Sequence, residues 1–263
     1  MIKGNLHTHT IFSDGKNTPE QMINRAIELN FDYIGFSEHS DDIIEDDDCV
    51  MKESEYEQYF DLLDSLKEKY KKSIKIYKGL ELDSFCYTPK VELDYSIGSI
   101  HYLQKDGIFY PLDLDSETLR DIVGLYGGTK VFLQSYFEDM INFAKTTPYN
   151  ILGHFDLFTK FNERDPLFDI NDKDYIDMAT NVLEEIIRLN KIIEINTGAI
   201  SRGYRTSFYP SLSLFNALND LKAPMIVSSD SHSISTINSY FEETESILQN
   251  YNNIRLISIE DII

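Results

Sequence analysis

The feature that most narrows the fold of this chain is an alternation that recurs from end to end. A short apolar run is followed by a stretch with apolar residues three and four apart, and then by another short apolar run. The short runs fall at 2–8, 33–37, 74–82, 95–100, 151–154, 192–196 and 225–229, and their length and β-branched content predict strands. The intervening pattern predicts helices at 19–30, 55–70, 116–146, 173–190 and 211–221. The third of these is expected to break into two near Gly127 and Gly128, and the first to open on Thr18 as a cap with Pro19 in its first turn. Strands that alternate with helices pair mostly in parallel and are covered on both faces. About seven such units predict a closed α/β barrel rather than an open doubly wound sheet. The open sheet would gain support from a glycine-rich dinucleotide turn after the first strand, and HTHTIFSDG is not one. Neither a repeat nor a Pro/Gly/Ser linker interrupts the pattern, so one domain over 1–263 is expected.

All six histidines fall at or just past the C-terminal end of a predicted strand. His7 and His9 end the first, His39 follows the second in FSEHS, and His101 the fourth in GSIH. His154 follows the fifth in GHFD, and His232 the seventh in SSDSH. That end of an α/β barrel carries its active site, whereas the opposite end carries stability. A lone histidine after a strand is ordinarily a hydrogen-bonded core or loop residue; six of six at one end is not ordinary. Carboxylates occupy similar places: Asp14 in FSDG, Glu81 in GLELD and Asp230 in SSDSH. Imidazole and carboxylate donors without thiolate suit Zn, Mn or Fe better than Ca or Mg. Because a catalytic zinc takes about three protein ligands plus water, these residues exceed the needs of one ion, and two or three are expected. Ions so grouped lower the pKa of water, grip phosphoryl oxygens and steady a departing alkoxide, which is what phosphoester hydrolysis requires.

The segments HTHTIFSDG, FSEHS, GLELD, SIGSIH, GHFD and SSDSH, in this order, resemble the polymerase and histidinol phosphatase (PHP) family. The resemblance covers the whole chain. It implies a distorted (β/α)7 TIM-like barrel with a trinuclear metal site at the C-terminal ends of the strands. By this resemblance His7, His9 and Asp230 hold the first ion; Glu81 bridges it to a second, completed by His101 and His154; Asp14, His39 and His232 hold the third. A hydroxide bridging the first two ions would attack phosphorus, and Glu81, Asp230 and His232 are the candidate catalytic side chains. The segment EINTGAISRGYRTSFYPS and the insertion at 102–150 most resemble the monofunctional histidinol phosphatases, which release phosphate from L-histidinol phosphate in histidine biosynthesis.

A phosphate monoester also calls for arginine, whose planar fork matches its oxygens. Arg164 in FNERDP and Arg202 in SRGYRT lie on loops after strands and are the expected phosphate contacts, ahead of Arg205. A formal charge of −21 argues against a nucleic-acid partner; strong acidity ordinarily serves solubility, and here it would also attract cations and an amine-bearing substrate. No window approaches the roughly 20 apolar residues of a membrane span, and MIKGNLHTHT lacks the apolar stretch of a secretory signal, so cytoplasm is the expected location. Two cysteines, Cys49 and Cys86, exclude a disulfide framework. The acidic run at 41–48 reads as solvated, SSDSH lacks the GxSxG elbow, and YGGTK is not a P-loop. Another phosphoester, a phosphotyrosine protein among them, is the alternative substrate, and a non-catalytic metal-binding module the alternative class.

Overall fold

The computed structural model describes residues 2–40, 49–86 and 90–263, so the acidic run at 41–48 lies outside the described residues. Strands β1 (Gly4–Asn5), β2 (Tyr33–Ser40), β3 (Lys75–Asp83), β4 (Ile97–Ser99), β7 (Ile151–Leu152), β8 (Ile192–Asn196), β9 (Pro224–Ser228) and β10 (Arg255–Leu256) form one sheet in the order β1-β2-β3-β4-β7-β8-β9-β10. Every pair in it is parallel. A separate antiparallel hairpin joins β5 (Tyr102–Lys105) to β6 (Ile108–Pro111). The sheet curls. Beyond β1 and β9 the chain is bridged in parallel at Thr8 and Ser231, where His9 N–H donates to the Ser231 carbonyl (2.8 Å) and Ser231 N–H to that of His7 (3.1 Å).

The helices are α1 (Pro19–Glu28), α2 (Tyr56–Tyr70), α3 (Ser116–Leu125), α4 (Thr129–Thr146), α5 (Lys173–Arg188), α6 (Gly198–Ser201), α7 (Phe215–Asp220) and α8 (Phe241–Leu248). Local chemistry sets their ends. Thr18 and Gln21 close a capping box at the start of α1. Gly127 and Gly128, at φ of 90° and 112°, separate α3 from α4 where the break is expected. Asn30 and Asn190 follow α1 and α5 in the left-handed region, which asparagine tolerates better than most residues. No helix among the described residues is long and apolar enough to cross a membrane.

The twofold period of a strand divides the apolar residues into two cores. Ile34, Phe36, Ile76, Leu80, Ile193, Ile195, Met225 and Val227 face outward and pack against the helices. Leu6, Tyr77, Tyr95, Ile97, Ile151, Ile192 and Ile226 face inward and form a second, smaller core. Moving along the inward face toward the strand C-termini, the side chains turn polar. In β3 positions 77, 79 and 81 are Tyr, Gly and Glu; in β8 positions 192, 194 and 196 are Ile, Glu and Asn; through and past β9, positions 226, 228 and 230 are Ile, Ser and Asp. A dry apolar floor thus lies beneath a polar rim.

Several expected strands are shorter than their apolar runs. After Asn5 the first segment leaves the ladder, and its amides pair instead with the Asn5 side chain, Ser37 Oγ and Ser231. The hairpin, α8 and β10 were not anticipated. The hairpin had a signal: Asp106-Gly107, with φ of 53° and 81°, is a type I′ turn pair flanked by YLQK and IFYP.

Tyr95 plugs the middle of the inward face, buried to 1% exposure, and its hydroxyl donates to the Leu6 carbonyl. Gly79 leaves room for that ring, since a Cβ there would fall 2.5 Å from Tyr95 Cζ. Gly79→Ala is expected to cost about 1–3 kcal/mol through overpacking, read as a lower urea midpoint; an unchanged midpoint would mean that the ring moves aside freely.

Candidate metal centre

The rim is assembled by backbone and side-chain contacts that leave little freedom to its histidines. His7 and His9 are fully buried on the irregular segment tied to Ser231. The chain then doubles back, with Ser13 and Gly15 N–H donating to the Thr10 carbonyl. Gly15 has no substitute here, because a Cβ would lie 2.4 Å from the His9 carbonyl oxygen. Buried Glu38 holds the same turn by accepting from Thr10 N–H (2.9 Å), Thr10 Oγ1 (2.6 Å) and Ser13 Oγ (2.5 Å). Asp14 is thereby carried back toward His9, His39 and His232.

Glu81 stands at the centre. Its Oε2 lies 3.1 Å from His7 Nε2, 3.5 Å from His9 Nε2 and 2.9 Å from His39 Nδ1. Its Oε1 lies 3.0 Å from His154 Nε2 and 3.6 Å from His101 Nε2, and accepts from Ser99 Oγ. Asp230 Oδ1 is 3.3 Å from His9 Nε2 and 3.7 Å from His7 Nε2. His232 Nε2 meets Asp14 Oδ2 at 3.1 Å. All nine sequence-predicted ligands therefore converge. Their donor atoms form three overlapping groups: His7, His9 and Asp230; His9, Asp14, His39 and His232; and His39, Glu81 and His101. His154 stands outside these groups yet touches Glu81. The groups can hold two or three metal ions.

Two carboxylates that the sequence reading passed over stand behind the imidazoles. Asp83 accepts from His101 N–H (2.9 Å) and lies 3.2 Å from His101 Nδ1. Glu194, fully buried, lies 2.6 Å from His7 Nδ1. Their signal was a charged residue inside an otherwise apolar strand, as in GLELD and EIN. The three arginines separate. Arg202 reaches the rim, donating to Asp230 Oδ2 (2.9 Å) and the Asp230 carbonyl (3.2 Å), and stands 3.1 Å from His232 Nδ1. Arg164 is exposed and donates to the Gly203 carbonyl on the loop that carries Arg202. Arg205 is buried and structural, donating to Thr159, Ser207 and Ser211 and lying over the Tyr209 ring. A cavity of about 690 Å³ opens on the rim, lined by His39, Glu81, His101, Arg202 and Asp230 along with the aromatic ring of Tyr204, a volume suited to a small molecule.

Buried polar atoms are ordinarily hydrogen-bonded. His7 Nε2, both ring nitrogens of His9 and Glu81 Oε2 are buried without a hydrogen-bond partner. Atoms that share one ion at about 2.0–2.2 Å stand about 3–3.5 Å apart, which is the spacing of His7 Nε2 and His9 Nε2 from Glu81 Oε2, so this donor set fits divalent cations. The electrostatics agree. Burial opposes ionisation of Glu81, but His7, His39 and His101 outweigh it and hold the carboxyl well below its usual range. Burial and the neighbours His39 and His232 push His9 down to about 3. Against burial, Glu81 raises His39 to about 10. His9 is then neutral and ready to bind at neutral pH, whereas His39 carries a proton that an ion must displace. Ion binding is therefore expected to release protons at pH 7, and affinity to fall as pH drops and to rise toward pH 10. Calorimetry of zinc binding in two buffers of different ionisation enthalpy measures the release; identical heats would contradict it.

Comparison with known proteins identifies the family and the fold. The PHP domain family model matches residues 5–198. The histidinol-phosphatase of Bacillus subtilis is 26% identical over 265 residues, spanning 92% of this chain and 98% of the relative. A protein of Schizosaccharomyces pombe named probable histidinol-phosphatase is 25% identical over 252 residues, 88% of this chain and 80% of the relative. Among solved structures, hisK of Listeria monocytogenes superposes with a TM-score of 0.81 at 23% identity, over 92% of this chain and 99% of that one. The histidinol phosphate phosphatase of Lactococcus lactis, solved with zinc, L-histidinol and phosphate, superposes with a TM-score of 0.72 at 19% identity, over 97% and 95%. These structures share the fold. A parallel sheet curled around a rim of histidines and acids, and a family match over most of its length, show that the chain belongs to the PHP domain family.

Proposed function

We propose that this chain hydrolyses L-histidinol phosphate to L-histidinol and phosphate, as a single domain over 1–263 on a closed, distorted (β/α)7 barrel with two or three Zn, Mn or Fe ions. The observation that carries the reading is the convergence of three overlapping donor groups on one cavity with an arginine at its edge. Two relatives bear the name histidinol-phosphatase over most of this chain, which favours that substrate over other phosphomonoesters. His7, His9 and Asp230 would hold one ion, Glu81, His101 and His154 another, and Asp14, His39 and His232 a third. Bound there, such ions supply an activated water and neutralise charge on the phosphoryl oxygens.

The remaining work falls to protein groups. Arg202 lines the cavity and has five N–H donors, more than its contacts with Asp230 and His232 use, so it is our candidate for a phosphate oxygen. Burial opposes its charge, but Asp230 outweighs that and keeps the guanidinium protonated. Arg164, bonded to the Gly203 carbonyl and absent from the cavity lining, is the weaker candidate for the phosphate contact. Asp230 and His232, which flank Arg202, are the side chains to which we assign the catalytic role beside Glu81.

Turnover of L-histidinol phosphate, a phosphotyrosine peptide, an aryl phosphate and single-stranded DNA, compared on protein of known metal content, tests the assignment. A preference of several orders of magnitude for the first is expected; equal rates on the aryl phosphate would overturn the substrate. His9→Ala and Glu81→Gln should abolish metal-dependent phosphate release. Arg202→Ala should lower kcat/KM about 10- to 100-fold, the worth of a charge-assisted hydrogen bond, and near-wild-type kinetics would remove Arg202 from phosphate binding.

A further inference from the structure

Glu194 belongs to none of the donor groups, yet it is fully buried on the inward face of β8, directly behind them. Four partners converge on its carboxylate. His7 Nδ1 (2.6 Å) and the Ser228 hydroxyl meet Oε1; the main-chain N–H of His154 (2.8 Å) and the Asn196 amide nitrogen (2.9 Å) meet Oε2. A backbone N–H and an amide nitrogen can only donate, and an ionised carboxylate can only accept. The hydrogen-bond pattern is complete when His7 Nδ1 carries the ring proton. Nε2 then keeps its lone pair, and it is this atom that lies 3.1 Å from Glu81 Oε2 and 3.7 Å from Asp230 Oδ1 with no hydrogen bond of its own.

We propose that Glu194 is the positioning residue of the metal centre: it sets the tautomer of His7 and pins the backbone of His154, so that one carboxylate orients histidines from two separate strand ends. The inference rests on reading His7 as an ion ligand. Its content is sharpest in the isosteric amide. In Glu194→Gln the oxygen must face the His154 N–H, whose direction the backbone fixes. The NH2 group is left to face His7 Nδ1, which can take that bond only as an acceptor. The ring proton moves to Nε2, and the atom that should bind the ion is blocked.

Zinc titration of the wild-type protein and Glu194→Gln against a competing chelator reads the effect directly. One ion should bind about 10- to 100-fold more weakly in the variant, the range typical for loss of a partner behind a metal-bound histidine, while the remaining ions keep their affinity. Long-range proton–nitrogen spectra of the zinc-loaded wild type should show His7 protonated at Nδ1 and metal-bound at Nε2. Unchanged affinity for every ion in Glu194→Gln, or a proton on His7 Nε2 in the loaded wild type, overturns the proposal. Should the variant fail to fold, the wild-type spectrum decides alone. A wild-type protein that binds no zinc would bring down the ligand reading itself, whereas failure confined to Glu194 leaves the wild-type titration intact.

Discussion

The carboxylate of Glu81 is 1% exposed and is approached by five imidazoles. An ionised acid in such a place costs several kcal/mol in lost hydration unless positive charge stands against it. The surrounding rings meet that need in one of two ways, by taking up protons themselves or by jointly holding metal cations. Protonation supplies that charge at His39, which Glu81 raises, whereas His9, held down and neutral, can contribute only by binding an ion. Neighbouring Asp14 and Asp230 add further negative charge to the rim, and burial works against each of them as well. So much buried acidity in a small volume is stable only around cations.

The fold reconciles that rim with an apolar interior by grading the inward face of each strand. Isoleucines and tyrosines fill the floor, glycine and Tyr95 occupy the middle, and glutamate, asparagine and aspartate emerge at the top. The order cannot be reversed, because a strand two residues out of register would lift isoleucine into the rim and sink glutamate into the floor. Structural contacts and chemistry therefore occupy the same strands at different heights.

Much of this was legible in the residues themselves. Periodicity located seven of the eight strands of the sheet, and the histidines marked its C-terminal rim because no other part of the chain contains any. The hairpin between β5 and β6 escaped because its strands are half-exposed and alternate weakly; only Asp106-Gly107 betrays it. Arg164 and Arg202 look alike in sequence, each on a loop after a strand, and only three-dimensional contacts separate the one beside Asp230 from the one bonded to Gly203. Glu194 and Asp83 showed in the sequence only as charged residues in apolar strands, which does not reveal their role. A carboxylate behind a histidine differs from one beside it by the direction of its side chain, and that direction depends on which neighbouring strand pairs with it.

Asp230 ties these levels together. It sits two residues beyond β9 in the left-handed region, φ 46°, a conformation uncommon outside glycine and asparagine-like residues and often found where a site demands it. The conformation turns Oδ1 toward His7 and His9 while Oδ2 receives Arg202. One carboxylate thus faces the donor set of an ion with one oxygen and orients the arginine at the cavity edge with the other. The candidate metal ligands and the arginine at the cavity edge are consequently joined through one residue, whose two oxygens face opposite ways.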